Sequence, residues 1–153
     1  EDTIYLAIGG KKSYIMRLLE DHPGIILEDS KIQAGESSGI NAMLVDHGTI
    51  YAVGGDYRIP NDSSLTFEKF AYDGHAAKTG GYQSTLSKEN DLLVCSGRNG
   101  TYYSIDDGKN WVHFLDDEFY KVILKNNKLY CSGPKGNIQI FEINYGGNQS
   151  HTK

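Results

Sequence analysis

Eight polar side chains in this sequence have the chemistry to hold a carboxylate-bearing ligand, and all follow short apolar runs. They are Lys11, Lys12, Asp56, Tyr57, Arg58, Arg98, Asn99 and Lys135. The guanidinium of an arginine is a planar fork matched to a carboxylate, and a tyrosine offers contact area with little entropy to lose. A second constellation, Ser104-Ile105-Asp106-Asp107-Gly108-Lys109-Asn110-Trp111, reads Ser-x-Asp-x-Gly-x-x-Trp. That spacing suits a hairpin: the aspartate accepts backbone N–H groups, the glycine takes a positive φ, and the indole lies on the sheet. Ser104, Asp106, Gly108 and Trp111 are therefore expected to build a turn, and Asp107 with them, rather than to meet a substrate. The five histidines, at positions 22, 47, 75, 113 and 151, are scattered. No His-x-x-x-His, Cys-x-x-Cys, Gly-x-Ser-x-Gly or phosphate loop is present, so the sequence points to no metal, no cofactor and no activated nucleophile.

The elements that must position these residues are visible as a repeat. An apolar run ending in glycine occurs four times, at Ile4–Gly9, Ile50–Gly54, Leu92–Gly97 and Leu129–Gly133. Periods near 40 residues with several strands in each are those of propeller blades. An alternating strand precedes the last three runs, at Ile40–Val45, Gln83–Ser87 and Phe119–Leu124, across polar turns such as Asp46-His47-Gly48. A third strand follows each glycine, at Tyr14–Leu19, Thr66–Tyr72, Thr101–Ile105 and Asn137–Ile143, and a fourth is expected at Gly24–Leu27, near Ala76–Lys78 and at Asn110–Phe114. The predicted fold is all-β, a partial β-propeller of three to four blades, each a four-stranded antiparallel meander. The units run over about residues 1–34, 35–79, 80–116 and 117–143, with a flexible tail at 144–153. The first lacks an innermost strand and the last a fourth, so the remaining half of the propeller, or a second copy, is expected to complete it.

In such a blade the loops after the second strand emerge at one end, and they bring Lys11, Lys12, Asp56, Tyr57, Arg58, Arg98, Asn99 and Lys135 to one rim. The Ser104–Trp111 turn falls at the opposite end. Lys and Arg total 15 against 20 Asp and Glu, a net charge of −5, which argues against nucleic acid as the partner. No apolar run approaches the length of a membrane span. Cys95 and Cys131 occupy matching places in two repeats and read as buried free thiols. Asn61-Asp62-Ser63, Asn99-Gly100-Thr101 and Asn148-Gln149-Ser150 are glycosylation sequons, of consequence only in a eukaryotic secreted protein. Asp21-His22-Pro23-Gly24 reads as a turn.

Longer stretches resemble the bacterial-neuraminidase-repeat, or Asp-box, propellers, in particular the group akin to the photosystem II assembly factor. They are Ser38-Gly39-Ile40, Ala52-Val53-Gly54-Gly55-Asp56-Tyr57-Arg58-Ile59-Pro60, Gly80-Gly81-Tyr82-Gln83-Ser84, the Ser104–Trp111 turn and Gly133-Pro134-Lys135-Gly136-Asn137-Ile138. The resemblance implies the C-terminal half of such a propeller, in a secreted or periplasmic bacterial setting. Three departures stand out: Asn110 replaces the usual Thr, Phe70-Ala71-Tyr72-Asp73-Gly74-His75 keeps only the Asp-Gly of a second box, and Gln83 stands where the group tends to have Arg. Sialidases share the Asp-box, and that class binds its substrate carboxylate with three arginines beside a Tyr nucleophile, a Glu and an Asp acid/base. Arg17, Arg58 and Arg98 are the only arginines here, and Arg17 is expected inside a strand. The sequence thus reads as a non-catalytic module that binds an acidic protein, peptide or glycan at the rim, with a sialidase-like glycoside hydrolase as the alternative.

Overall fold

The computed structural model describes residues 3–19, 25–33, 35–59 and 64–143. Fourteen strands run in sequence order: β1 (Thr3–Ile8), β2 (Tyr14–Leu19), β3 (Ile25–Asp29), β4 (Ile40–Asp46), β5 (Thr49–Gly54), β6 (Phe67–Phe70), β7 (His75–Ala77), β8 (Thr85–Glu89), β9 (Leu92–Gly97), β10 (Gly100–Ser104), β11 (Val112–Leu115), β12 (Lys121–Lys125), β13 (Lys128–Ser132) and β14 (Ile138–Glu142). They form four antiparallel meanders, β1-β2-β3, β4-β5-β6-β7, β8-β9-β10-β11 and β12-β13-β14. Among the described residues the two middle sheets are four-stranded and the outer two three-stranded. The turn expected at 21–24, the sequons at 61–63 and 148–150 and the tail at 144–153 lie outside the described residues.

Local sequence explains the hairpins. His47-Gly48 and Asn126-Asn127 have positive φ at both central positions (47° and 80°, 53° and 58°), as type I′ turns need, and Gly and Asn tolerate that region best. The repeated glycine has a steric origin: a Cβ on Gly54 would strike the carbonyl oxygen of Gly39, and one on Gly97 that of Tyr82. The second strand of each middle sheet comes too close to the start of the first for a side chain to fit. A 3-10 turn at Pro134–Gly136, with Lys135 at φ 58°, was not anticipated from the sequence.

Three apolar cores lie between successive sheets. Ile15, Ile40, Ile50 and Ala52 join the first sheet to the second. Tyr51, Val53, Phe67, Leu93 and Cys95 join the second to the third, and Leu92, Val94, Val122, Leu129 and Cys131 the third to the fourth. Within β9 the residues alternate between two cores, which is why this strand reads as an unbroken apolar run. Full burial of one such side chain contributes about 1.5–3 kcal/mol. Cys95 and Cys131 are free and buried, as their context suggested.

The first sheet departs from the phase of the other three. Ile50, Leu93 and Leu129, each four residues before the repeated glycine, face the preceding sheet. Tyr5, four before Gly9, packs instead toward the following one. Ile4, Leu6 and Ile8 consequently face outward, 60%, 44% and 37% exposed.

Candidate functional site

The loop after β5 is built by Asp56. Its side chain is only 8% exposed, and its Oδ1 accepts 2.6 Å from Ser37 Oγ and 2.9 Å from the backbone N–H of Arg58. Those two hydrogen bonds, the Ser37 hydroxyl foremost, hold the Asp56 carboxyl below the usual carboxylate range. The sequence placed Asp56 among the ligand-facing residues; the carboxylate instead organises the loop from within. Gly55, at φ 122°, sets the sharp reversal that precedes it. Tyr57 is left half-exposed, and the Arg58 side chain is 52% exposed with its Nε 3.6 Å from Asp56.

Arg98 comes to the same place from the β9–β10 turn of the next sheet. Its Nη1 donates 2.9 Å to the carbonyl oxygen of Tyr57. Asn99 beside it donates 2.8 Å to the carbonyl of Gly80, and Tyr102 Oη donates 3.2 Å to the carbonyl of Asn99. Asp56, Tyr57, Arg58, Arg98 and Asn99 therefore form one continuous patch across the second and third sheets. Lys11 and Lys12 are exposed in the equivalent loop of the first sheet. That loop reaches the patch indirectly: Gly10 donates its N–H to the carbonyl of Ser38, next to Ser37. Lys135 is exposed on the fourth sheet, and no described contact joins it to Arg98. The patch holds two guanidinium groups and a phenol ring around one inward carboxylate, an arrangement able to form charge-assisted hydrogen bonds with an anionic group.

The opposite end carries the Ser104–Trp111 turn. Ser104 Oγ donates 2.8 Å to Asp106 Oδ1 and accepts 2.9 Å from the N–H of Gly108. Asp106 also accepts from the backbone N–H of Asn110 at 3.0 Å and from its side-chain amide at 2.6 Å. These donors, Asn110 first, bring the Asp106 carboxyl down to about 2. Trp111 Nε1 donates 3.0 Å to the carbonyl of Gly108, and its ring centroid lies 5.1 Å from that of Phe67 on the preceding sheet.

Asp107 reaches beyond the turn that the sequence assigned it to. Its carboxylate accepts 2.6 Å from Lys69 Nζ on β6 and 2.8 Å from Tyr51 Oη on β5. Lys69 also donates 2.9 Å to Asp73, in the turn that keeps the second Asp-Gly pair. Burial pushes the Asp107 carboxyl up, yet the hydrogen bonds from Lys69 and Tyr51 outweigh it and the net shift is downward. Burial, then the bond to Asp107, pushes the Tyr51 phenol up to about 12. Beside this group, Lys88 Nζ donates 2.7 Å to Asp46 and 2.6 Å to the carbonyl of Asn90. A cleft of about 480 Å³ opens between Tyr51, Lys88 and Asp107. The Lys69–Asp107 and Lys88–Asp46 pairs beside it each join the second sheet to the third, so this end fastens sheets together. Nothing local in the sequence marks the Lys69–Asp107 contact, because the partners are 38 residues apart.

Among the described residues no group of three His, Cys, Asp or Glu side chains is placed to hold a metal ion, and no helix is long and apolar enough to cross a membrane. Fold and patch together define an all-β protein of successive antiparallel meanders with a cationic, tyrosine-bearing rim. No protein family matches the chain, and no curated protein does. Among solved structures, a chain from the crystal structure of a nidogen/laminin complex is similar, with a TM-score of 0.55 at 12% identity. The match covers 98% of this chain and 61% of that one, and it is a likeness of fold alone.

Proposed function

We propose that the four sheets are blades of an Asp-box β-propeller and that the chain is a non-catalytic binding module. In this reading the rim of Tyr57, Arg58, Arg98 and Asn99, flanked by Lys11, Lys12 and Lys135, takes an acidic protein, peptide or glycan in a secreted or periplasmic setting. The observation that carries the reading is the hydrogen bond from Arg98 to the carbonyl of Tyr57, which gathers two exposed arginines and an exposed tyrosine from different sheets into one surface. Such a surface adds specificity and on-rate through charge. The similar chain belongs to a protein–protein complex, which accords with a protein ligand.

A sialidase-like hydrolase would need a third arginine at the rim. Arg17 lies within β2 and pairs with Glu28 at 2.7 Å, away from Arg58 and Arg98. The test is a screen of acidic peptides and sialylated glycans, followed by titration of the best ligand against Arg58→Ala combined with Arg98→Ala. Binding should fall about tenfold or more, most at low salt where surface charge is least screened. Unchanged binding would remove these arginines from the site. Turnover of a sialoside that disappears in Tyr57→Phe would establish the hydrolase instead.

A further inference from the structure

We infer that Tyr82 and Glu118 belong to the rim site, and that the site takes a segment of a partner protein in which a carboxylate lies close to a cationic side chain, the carboxylate on Arg58 and Arg98 and the cation on Glu118. This rests on the rim as a binding surface and names what that surface reads. Three repeats bring one residue to the same point of the mouth. A Cβ on Gly54 would strike the carbonyl oxygen of Gly39, one on Gly97 that of Tyr82, and one on Gly133 would come to 2.7 Å from that of Glu118. The residue after each, Ile40, Gln83 or Phe119, is buried, so the chain enters its sheet in the same way three times. What stands at the shared position differs: no side chain, then a phenol, then a carboxylate. Packing fixes the backbone there and leaves the side chain free to serve recognition.

Tyr82 sits where the two arginine-bearing loops meet. Its Cα lies 3.2 Å from the place that a Cβ on Gly55 would take, at the start of the loop of Arg58, and its carbonyl is the one against Gly97, next to Arg98. The segment before it is tied from both sides: Gln83 donates its side-chain amide 3.4 Å and 3.2 Å to the carbonyls of Thr79 and Gly81, and Asn99 donates to that of Gly80. Burial pushes the Tyr82 phenol up, Glu118 adds to the rise and Arg98 opposes it, so the ring lies within electrostatic reach of both charges. Among the described residues the Tyr82 hydroxyl and the Glu118 carboxylate have no hydrogen-bond or ion-pair partner. An acid of the ligand on Arg98 therefore has Glu118 nearby, where a second acid is repelled and a base is paired. Repulsion of the wrong partner is as much a source of specificity as attraction of the right one. Acidic glycans supply carboxylates and hydroxyls but no cation, whereas a polypeptide offers both signs on neighbouring residues, and the charge pattern thus favours a protein.

The test is selection from a phage-displayed library of short random peptides on the full chain, on Glu118→Lys, and on Arg58→Ala combined with Arg98→Ala, each checked for fold by circular dichroism. Peptides enriched by the wild-type chain should carry an acid with a base close by. Those enriched by Glu118→Lys should carry acids at both places, and the double arginine variant should enrich neither kind. The best wild-type peptide, titrated by fluorescence anisotropy, should bind Glu118→Gln about threefold to fivefold more weakly, the scale of an exposed ion pair, and Tyr82→Ala more weakly as well. Exchanging the base of that peptide for an acid should weaken its binding to the wild-type chain and strengthen its binding to Glu118→Lys. Acid-only peptides enriched alike by the wild-type chain and Glu118→Lys, and lost in the arginine variant, would overturn the two-signed ligand and leave the rim standing as a site. Enrichment that survives in the arginine variant would overturn the rim itself. Binding of a sialylated glycan with no peptide enriched would overturn the protein ligand, and an unchanged titration with Tyr82→Ala would take Tyr82 out of the site.

Discussion

Asp107, on the turn between β10 and β11, accepts a 2.6 Å hydrogen bond from Lys69 Nζ on β6 of the preceding sheet. Lys69 is 8% exposed in its side chain, so its charge depends on Asp107 and Asp73 for compensation. Together they lift its ammonium above the ordinary lysine range, the Asp107 bond contributing most.

Asp107→Ala should therefore destabilise the chain by about 2 kcal/mol, the scale of a lost hydrogen bond to a charged group. Urea unfolding of Asp107→Ala, Lys69→Met and the double variant forms a cycle. The two changes should couple by about 1 kcal/mol or more, because residues that share a bond are not additive. Additive losses would show that Asp73 alone suffices for Lys69.

Gly108 should not tolerate a side chain. It sits at φ 85°, and a Cβ there would run into the ring of Phe67. Gly108→Ala is expected to cost about 2–3 kcal/mol from backbone strain and overpacking combined. Trp111→Ala should cost about 3 kcal/mol, the low end for a large aromatic, since this ring is only partly covered. Trp111 is the sole tryptophan, so its fluorescence in the Gly108 variant reports directly on the seam between the second and third sheets.

Acid should loosen the same turn. The Asp106 carboxyl is lowered to about 2 from an ordinary 3.8, so its stabilising contribution is complete above about 3.8 and disappears as pH falls through about 2. A group whose folded pKa is depressed binds its proton more readily when unfolded, which gives this direction. The difference in urea midpoint between wild type and Asp106→Asn should shrink as pH drops across that window. A difference that stays constant would assign the effect to the amide's geometry rather than to charge.

Both thiols should be inert in the native chain. Burial raises Cys95 well above the ordinary thiol range and Cys131 to about 12. The thiolate is the reactive form, so an aromatic disulfide reagent should titrate neither before denaturant is added and both afterwards. Native-state labelling of one thiol would locate a local opening of β9 or β13.

Each strand was legible in the sequence, because alternation and turn chemistry are local and the repeat supplied a frame. The hairpin of Ser104 to Trp111 was legible for the same reason: its partners lie within seven residues. What failed to show was everything settled between sheets. Asp56 looked like a surface residue because Ser37, which captures it, is 19 positions away. Asp107 looked like a turn residue because Tyr51 and Lys69 are 56 and 38 positions away. The reversed phase of the first sheet escaped notice because Tyr5 and Ile50 are both apolar, and pattern alone does not say which neighbour a two-sided strand will face.

Among the described residues every strand pairs only with strands next to it in sequence. Folding therefore requires no long loop to close before the first backbone ladder forms, and each meander can assemble from its own stretch of chain at low entropic cost. Cooperativity must then come from the seams, as it does in linear repeat arrays. Amide exchange should be slowest in β5 and β9, whose sheets are covered on both sides, and fastest in β1 and β14, so that the molecule opens from its ends inward.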